Sequence, residues 1–168
     1  TEAHTDLIRM VHPRITPGPE NSRAQYQDVE TDLRDNARYT TLTINVGGRE
    51  LVQRTRLDAD VATVWTTEHL LKSKDDALAY LQLPQSFFDH SVDLTPLHDS
   101  EERLGDRGIV MMDIGDPLCA VAGLFSMEDY TILAMTEPAL FHQLLEQQAA
   151  SIYKTTEIVA RNFPGHLW

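Results

Sequence analysis

The sequence predicts a mixed α/β fold, and three of its features indicate this class. Two alternating runs on either side of a Gly-Gly pair predict a β-hairpin over residues 38–57. A short, almost continuously apolar run at 108–114 is typical of a parallel strand that is covered on both faces. A long amphipathic pattern at 137–162 predicts a helix that packs beside that strand.

The composition is that of one globular domain. The chain has 168 residues, of which 42% are hydrophobic, and no apolar run reaches the roughly 18 residues that a membrane span needs. The net charge of −12 argues against a nucleic-acid or anionic-membrane partner. A single cysteine and the lack of an N-terminal signal pattern predict a cytoplasmic protein.

The histidines and the cysteine do not form a metal-binding pattern. Seven histidines are present, but no two are four residues apart, and there is no Cys-x-x-Cys pair. We therefore predict no complete zinc site and no cofactor within this chain. Cys119 is expected to be a buried structural thiol rather than a nucleophile, because no basic residue adjoins it in the sequence.

The first part of the chain is predicted to be an irregular lead-in over residues 1–37, since prolines and a glycine interrupt it. The hairpin follows, with Gly47 and Gly48 at its turn, because such turns require positive φ angles. A third strand is expected at 62–68. One face of the first hairpin strand carries the apolar side chains Leu42, Ile44 and Val46.

Capping residues predict two short helices before the apolar strand. Ser73 can cap a helix over 74–83. Thr95 can cap the next helix, which ends at Gly105. The hairpin and these helices make up the segment 38–105.

The last segment, residues 106–168, is predicted to form a strand–loop–helix unit. Ser126 can cap one helix after the strand, and Thr136 can cap the long helix. Because a single strand–helix unit cannot close a sheet, we expect the chain to be incomplete or to self-associate. The apolar stripe of the long helix comprises Leu140, Leu144, Leu145, Ala149, Ile152 and Tyr153.

An ordered series of motifs resembles the uroporphyrinogen decarboxylase family, which includes the methyltransferases that move methyl groups between corrinoids and thiols. The series comprises "LGDR" at 104–107, a strand, Gly-x-Pro at the strand end, then "ED", and "TEPALFHQLL" at 136–145. Upstream, "TVWTTEHLLKSKDDALAYLQLP" at 63–84 is similar to the segment that precedes these motifs in the family. The resemblance covers about residues 38–168.

The resemblance implies a TIM (β/α)8 barrel, of which this chain would be only a part. Such barrels typically need about 250 residues. The chain would supply the second strand–helix unit of the barrel and a β-hairpin excursion ahead of it. The family's arginine-rich segment and the methyltransferases' His-x-Cys zinc site have no counterpart in the sequence. Zinc, a corrinoid and a corrinoid protein partner would therefore belong to the complete enzyme.

The resemblance also implies a substrate site at the end of the predicted strand, because barrel active sites lie at the C-terminal ends of the strands. The residues that would line the pocket there are Asp113, Gly115, Asp116 and Pro117. Gly115 would allow close approach of the backbone, and Asp116 could accept hydrogen bonds from a substrate. Gly123 stands where the decarboxylases have a substrate-facing tyrosine. The alternative is that Asp113 or Asp116 only caps the turn that follows it.

The departures from the decarboxylase pattern favour the methyltransferase branch. Asp116 replaces a small apolar residue, and an added carboxylate would repel the eight carboxylates of uroporphyrinogen. We therefore expect a smaller, less anionic substrate, and we assign no catalytic residue within this chain. Two alternatives stay open: decarboxylation of a porphyrinogen, and a non-catalytic α/β module that associates through the edge of its hairpin.

Overall fold

The computed structural model describes residues 7–165, which form a mixed α/β fold. The strands are β1 (Leu7–Val11), β2 (Arg14–Pro17), β3 (Gln27–Arg34), β4 (Ala37–Val46), β5 (Arg49–Asp58), β6 (Val64–Glu68), β7 (His90–Asp93) and β8 (Gly108–Met112). The helices are α1 (Lys74–Tyr80), α2 (Thr95–Leu104), α3 (Pro117–Ala122), α4 (Met127–Thr136) and α5 (Pro138–Asn162).

Strands β1 and β8 form a two-stranded parallel sheet, in register from Leu7 opposite Gly108 to Val11 opposite Met112. This pairing confirms a parallel strand in the apolar run that begins at Gly108. It also shows that the chain itself supplies a neighbour for this strand, whereas the sequence indicated a single strand–helix unit without one. The partner was not predicted because β1 pairs with a segment about a hundred residues away, and no local pattern records such a contact.

Three strands lie within residues 7–34, so the prediction of an irregular lead-in over 1–37 is wrong for this part of the chain. Strand β2 pairs antiparallel with β7, and β3 pairs antiparallel with β4. The turn between β3 and β4 holds Asp35 and Asn36 at φ angles of 50° and 57°. Asp and Asn tolerate these angles, as a two-residue hairpin turn requires. Every second residue of β3 is charged and its other side chains are mixed, so the strand has no regular apolar face from which to predict it.

The four strands β3 to β6 form one antiparallel sheet in sequential order. Gly47 and Gly48, at φ angles of 58° and 72°, make the predicted turn between β4 and β5. Strand β6 confirms the predicted third strand. Ile44 and Val46 are buried, and Leu42 packs against the same core, as the alternating pattern indicates.

Two of the predicted helix caps are present and two are shifted. The hydroxyl oxygens of Ser73 and Ser126 accept hydrogen bonds from the backbone N–H groups three residues later, at the starts of α1 and α4. Thr95 is instead the first residue of α2, and its N–H donates to the Asp93 carboxylate at 2.9 Å. Thr136 is the last residue of α4, and its hydroxyl donates to the carbonyl of Ile132.

Helix α5 connects two hydrophobic cores. Its first half, with Leu140 and Leu144, packs in a core between the inner end of the four-stranded sheet and helices α1, α3 and α4. Its second half, with Val159, packs against α2 and β8. Most of the predicted apolar stripe is thus confirmed, but Tyr153 is exposed because it lies on the opposite side of the helix from Leu144.

The sheets within residues 7–165 are small and mostly antiparallel, and they do not form a barrel. The coarser prediction, a mixed α/β fold, is confirmed. No helix in the described part of the chain is both long and apolar enough to cross a membrane.

Candidate functional site

A cleft of about 380 Å³ opens at the carboxyl ends of β1 and β8. His12 and Asp113, which directly follow these two strands, lie on the same wall. The carboxyl ends of neighbouring parallel strands meet at one edge of a sheet, where α/β proteins commonly bind ligands. The polar residues that line the cleft include His12, Arg23, Asp89, His90, Asp113, Ser151 and Thr155.

The ring of His12 is held by the backbone of β8. Its Nδ1 atom lies 2.9 Å from the carbonyl oxygen of Asp113. Because a carbonyl oxygen can only accept, Nδ1 is the donor of this hydrogen bond, and in the neutral imidazole Nε2 is then the acceptor. In that neutral form His12 offers a hydrogen-bond acceptor at the carboxyl end of β1.

His90 forms the buried back wall of the cleft and links β7 to α5. Its Nδ1 donates to the carbonyl oxygen of Phe88 at 3.0 Å, and its Nε2 lies 2.8 Å from the Thr155 hydroxyl. The Ser151 hydroxyl lies 3.4 Å from Nδ1 of the same ring. These contacts fix the orientation of α5 relative to the cleft.

The Asp89 carboxylate is already engaged by neighbouring groups. Lys154 donates to it at 2.9 Å, and the backbone N–H of Glu20 donates at 3.1 Å. The hydrogen bond from Lys154 is the main reason that the pKa of Asp89 lies below its ordinary value. Lys154 also donates to the carbonyl oxygen of His90 at 3.0 Å. Its ammonium group therefore holds the wall of the cleft together and is not free to bind a ligand.

Arg23 is the cation that remains available in the cleft. Its guanidinium lies 5.1 Å from the centre of the Phe87 ring, in cation–π geometry. Within residues 7–165 it forms no salt bridge. Most other basic residues of this acid-rich chain do have a carboxylate partner, so Arg23 is suited to bind an anionic group of a ligand.

The structure places one of the five predicted site residues, Asp113, in the wall of this cleft. Its carboxylate accepts from the N–H of Gly115 at 2.9 Å, and Gly115 has a φ angle of 77°. The other four residues lie outside the set that lines the cleft, and their role in binding a substrate stays a prediction. They are Gly115, Asp116, Pro117 and Gly123.

Asp116 and Pro117 begin helix α3, which was not predicted. The Asp116 carboxylate accepts from the N–H of Cys119 at 2.9 Å, and Gly123 follows the last turn of the helix. This hydrogen bond lowers the pKa of Asp116. Both strand-end aspartates therefore have the capping geometry that was the alternative interpretation.

Cys119 is exposed, so the prediction of a buried thiol is wrong. It lies on the outer side of α3, whereas Val121 is fully buried. The hydrogen bond and the charge of Asp116 raise the pKa of the Cys119 thiol. A raised pKa opposes the thiolate form that metal binding needs. In the described part of the chain no cluster of three or more His, Cys, Asp or Glu side chains is arranged to hold a metal ion.

Sequence reasoning missed most of the cleft because its residues come from distant segments. His12 and Asp113 are 101 positions apart, and His90 and Thr155 are 65 positions apart. One local signal was present: Ser151 and Thr155 place two hydroxyls four residues apart on the long amphipathic helix. Such a pair could have indicated a polar site facing α5.

The cleft combines one cation without a salt-bridge partner among the described residues, the His12 ring and the hydroxyl groups of Thr16, Ser151 and Thr155. This set can hold a small polar ligand that carries one anionic group. Comparison of the chain with models of protein families, with curated proteins and with solved structures finds no match. The chemistry of the cleft is thus the evidence that bears on function.

Replacing Thr155 by Val should remove the hydroxyl partner of His90 and lower the free energy of unfolding by about 1–2 kcal/mol. Thr155 is 7% exposed, so water has little access to replace the lost hydrogen bond. Thr131→Val is the matched control, because the Thr131 hydroxyl makes a helical hydrogen bond at an exposed position. Urea unfolding would measure both changes, and an equally small effect of the two would contradict a buried His90–Thr155 contact.

Proposed function

We propose that this chain is part of an enzyme of the uroporphyrinogen decarboxylase family, closer to the corrinoid and thiol methyltransferases than to the porphyrinogen decarboxylases. The observation that carries the proposal is the parallel pair β1–β8. Helix α2 contacts both strands on one face, and α5 packs there as well. The opposite face exposes the apolar side chains Ile8, Met10 and Ile109.

Parallel strands in globular proteins are normally covered on both faces. The open face of β1–β8 would be covered if further strands continued the sheet and closed a TIM barrel around it. In that arrangement β1 and β8 are the first and second barrel strands, and the four-stranded sheet is the excursion between them. In this arrangement the chain is one part of a barrel that other strands complete.

The position of the cleft supports an active site in that assembly. Barrel enzymes bind their substrates at the carboxyl ends of the strands, and the cleft opens at the carboxyl ends of β1 and β8. Here Arg23 would bind an anionic group of the substrate. His12 would accept a hydrogen bond or a proton through Nε2, while Asp113 holds its ring through the backbone carbonyl.

The charges of the cleft favour the methyltransferase branch. Uroporphyrinogen carries eight carboxylates, and binding it would require several cations to offset their repulsion. The cleft offers Arg23, whereas Asp89 and Asp113 contribute carboxylates. A small thiol with one anionic group, such as coenzyme M, suits this balance better.

The proposal assigns zinc and a corrinoid to other parts of the enzyme. In the methyltransferases zinc activates the acceptor thiol. The exposed Cys119 does not fit such a site, because Asp116 raises the pKa of its thiol. This chain would supply one wall of the pocket and a surface that faces a corrinoid protein. A cytoplasmic location suits this function and the single cysteine.

Titration with 2-mercaptoethanesulfonate, followed by NMR, tests the proposed cleft. We expect saturable shifts of His12, Ser151 and Thr155, and at least about tenfold weaker binding in Arg23→Gln, a loss of about 1.4 kcal/mol. Arg38→Gln is the matched control, because Arg38 also lacks a salt bridge within residues 7–165 but lies in the four-stranded sheet.

The same titration separates the family's two branches. Saturable shifts with coproporphyrin, and none with the thiol, would favour the decarboxylase alternative. Shifts that do not depend on Arg23, or no saturable shifts with either probe, would contradict a substrate site in this cleft.

A second candidate is a non-catalytic α/β module that self-associates. The outer part of the four-stranded sheet favours it, because Leu33 and Val64 expose apolar side chains on the two edge strands. Monomeric proteins rarely expose large apolar patches that have no binding role.

A further inference from the structure

The four-stranded sheet extends beyond the core, and one of its faces changes from buried to open along its length. Residues directly opposite each other in an antiparallel sheet share a face. At the inner end this face carries Ile44 opposite Leu51, both buried. At the outer end the same face carries one row across all four strands, Leu33, Arg38, Leu57 and Val64.

A cavity of about 620 Å³ lies at this outer end, between the Asp35–Asn36 turn and the loop that joins β5 to β6. Its apolar lining includes Leu33, which is 78% exposed, together with Val61 and Val64. Apolar surface of this kind, bordered by charged residues, marks an interaction site.

The opposite face of the outer sheet carries mainly polar groups that already have partners, together with Trp65, which is 57% exposed. The guanidinium groups of Arg34 and Arg56 lie 4.3 and 5.7 Å from the centre of the Tyr39 ring. Arg56 also forms a salt bridge with Asp58 at 2.6 Å. These contacts satisfy most polar groups of that face, whereas Leu33, Leu57 and Val64 make the other face the more apolar of the two.

The cavity is lined by charges of both signs, and two of them have no salt-bridge partner among the residues that the structure describes. Arg38 and Asp35 both line it, and neither forms a salt bridge within residues 7–165. An anionic ligand would satisfy Arg38 but would be repelled by Asp35, and a cationic ligand would meet the reverse problem. A second copy of the same surface presents both charges.

We propose that the outer face of β3–β6 is the interface through which two copies of this chain associate. In a two-fold dimer each copy contacts the same patch of the other. Leu33 and Val64 would form the apolar centre, and Arg38 of one copy would face Asp35 of the other. This inference does not depend on the family assignment, because it uses only the four-stranded sheet.

Sedimentation velocity over a wide concentration range tests the interface. We expect a reversible dimer whose dissociation constant rises at least about tenfold in Leu33→Asp. Met135→Asp is the matched control, since Met135 is 79% exposed on α4. Ile109→Asp, on the open face of β1–β8, should also leave the dimer unchanged.

A charge exchange tests the two-fold arrangement. Arg38→Asp and Asp35→Arg should each weaken the dimer, and an equimolar mixture should form a heterodimer, because opposite charges then face each other again. Circular dichroism would confirm that both variants fold, since the φ angle of 50° at residue 35 disfavours Arg. A wild-type monomer at every concentration would overturn the proposal. So would loss of the dimer in Ile109→Asp but not in Leu33→Asp, or a mixture that forms no heterodimer.

Discussion

Leu144→Ala is expected to lower the free energy of unfolding by about 2–5 kcal/mol. Leu144 is 0% exposed and lies in the core between α5, the inner end of the four-stranded sheet and the shorter helices. Truncation removes apolar contacts and leaves a cavity that the surrounding helices can fill only in part. Urea unfolding followed by circular dichroism would measure the change.

Leu78→Ala provides the control with the same chemistry. Leu78 lies on α1 and is 44% exposed, so its truncation should change the free energy of unfolding by less than about 1 kcal/mol. Equal effects at positions 78 and 144 would show that α5 does not pack as described.

The importance of α5 comes from its position between the two cores. Leu144 fixes its first half against one core and Val159 fixes its second half against β8. Ser151 and Thr155 lie between these anchors and line the cleft. A loosened first half should therefore also disturb the wall of the candidate site.

Local patterns predicted those elements whose stability depends on nearby residues. The Gly47–Gly48 turn and the Ser73 and Ser126 caps are examples, because the groups that satisfy one another lie within a few positions. Helix α5 was predicted for a related reason: its apolar side chains recur along one face.

Elements that depend on distant partners were missed. Strand β1 forms because its backbone groups bond to β8, and the cleft forms because His12 and His90 reach groups far along the chain. For the strand-end aspartates the sequence offered two roles. Asp113 both caps the turn that follows it and lies in the wall of the cleft, whereas Asp116 caps α3.

Asp76→Asn is expected to lower the free energy of unfolding by about 2–3 kcal/mol at neutral pH. The nearly buried Asp76 carboxylate accepts from the Arg49 guanidinium at 2.8 Å and from the N–H of Lys72 at 3.0 Å. It thereby joins α1 to the start of β5. An amide would turn one N–H donor toward these donors. Asp75→Asn is the matched control, since Asp75 is exposed and lies 3.9 Å from the same arginine, so its loss should change little.

The contribution of Asp76 to the free energy of unfolding should depend on pH. Burial raises the pKa of Asp76. The hydrogen bonds from Lys72, Ser73 and Arg49 together lower it by more than burial raises it, so the net pKa lies below the ordinary value. The unfolded chain, with an Asp pKa of about 3.9, then binds a proton more readily than the folded chain. The stabilisation is therefore complete above that value and is lost as the pH falls through the lower, folded-state pKa. Urea unfolding at a series of pH values should show the gap between wild type and Asp76→Asn closing below about pH 4, and a constant gap would contradict the role assigned to this carboxylate.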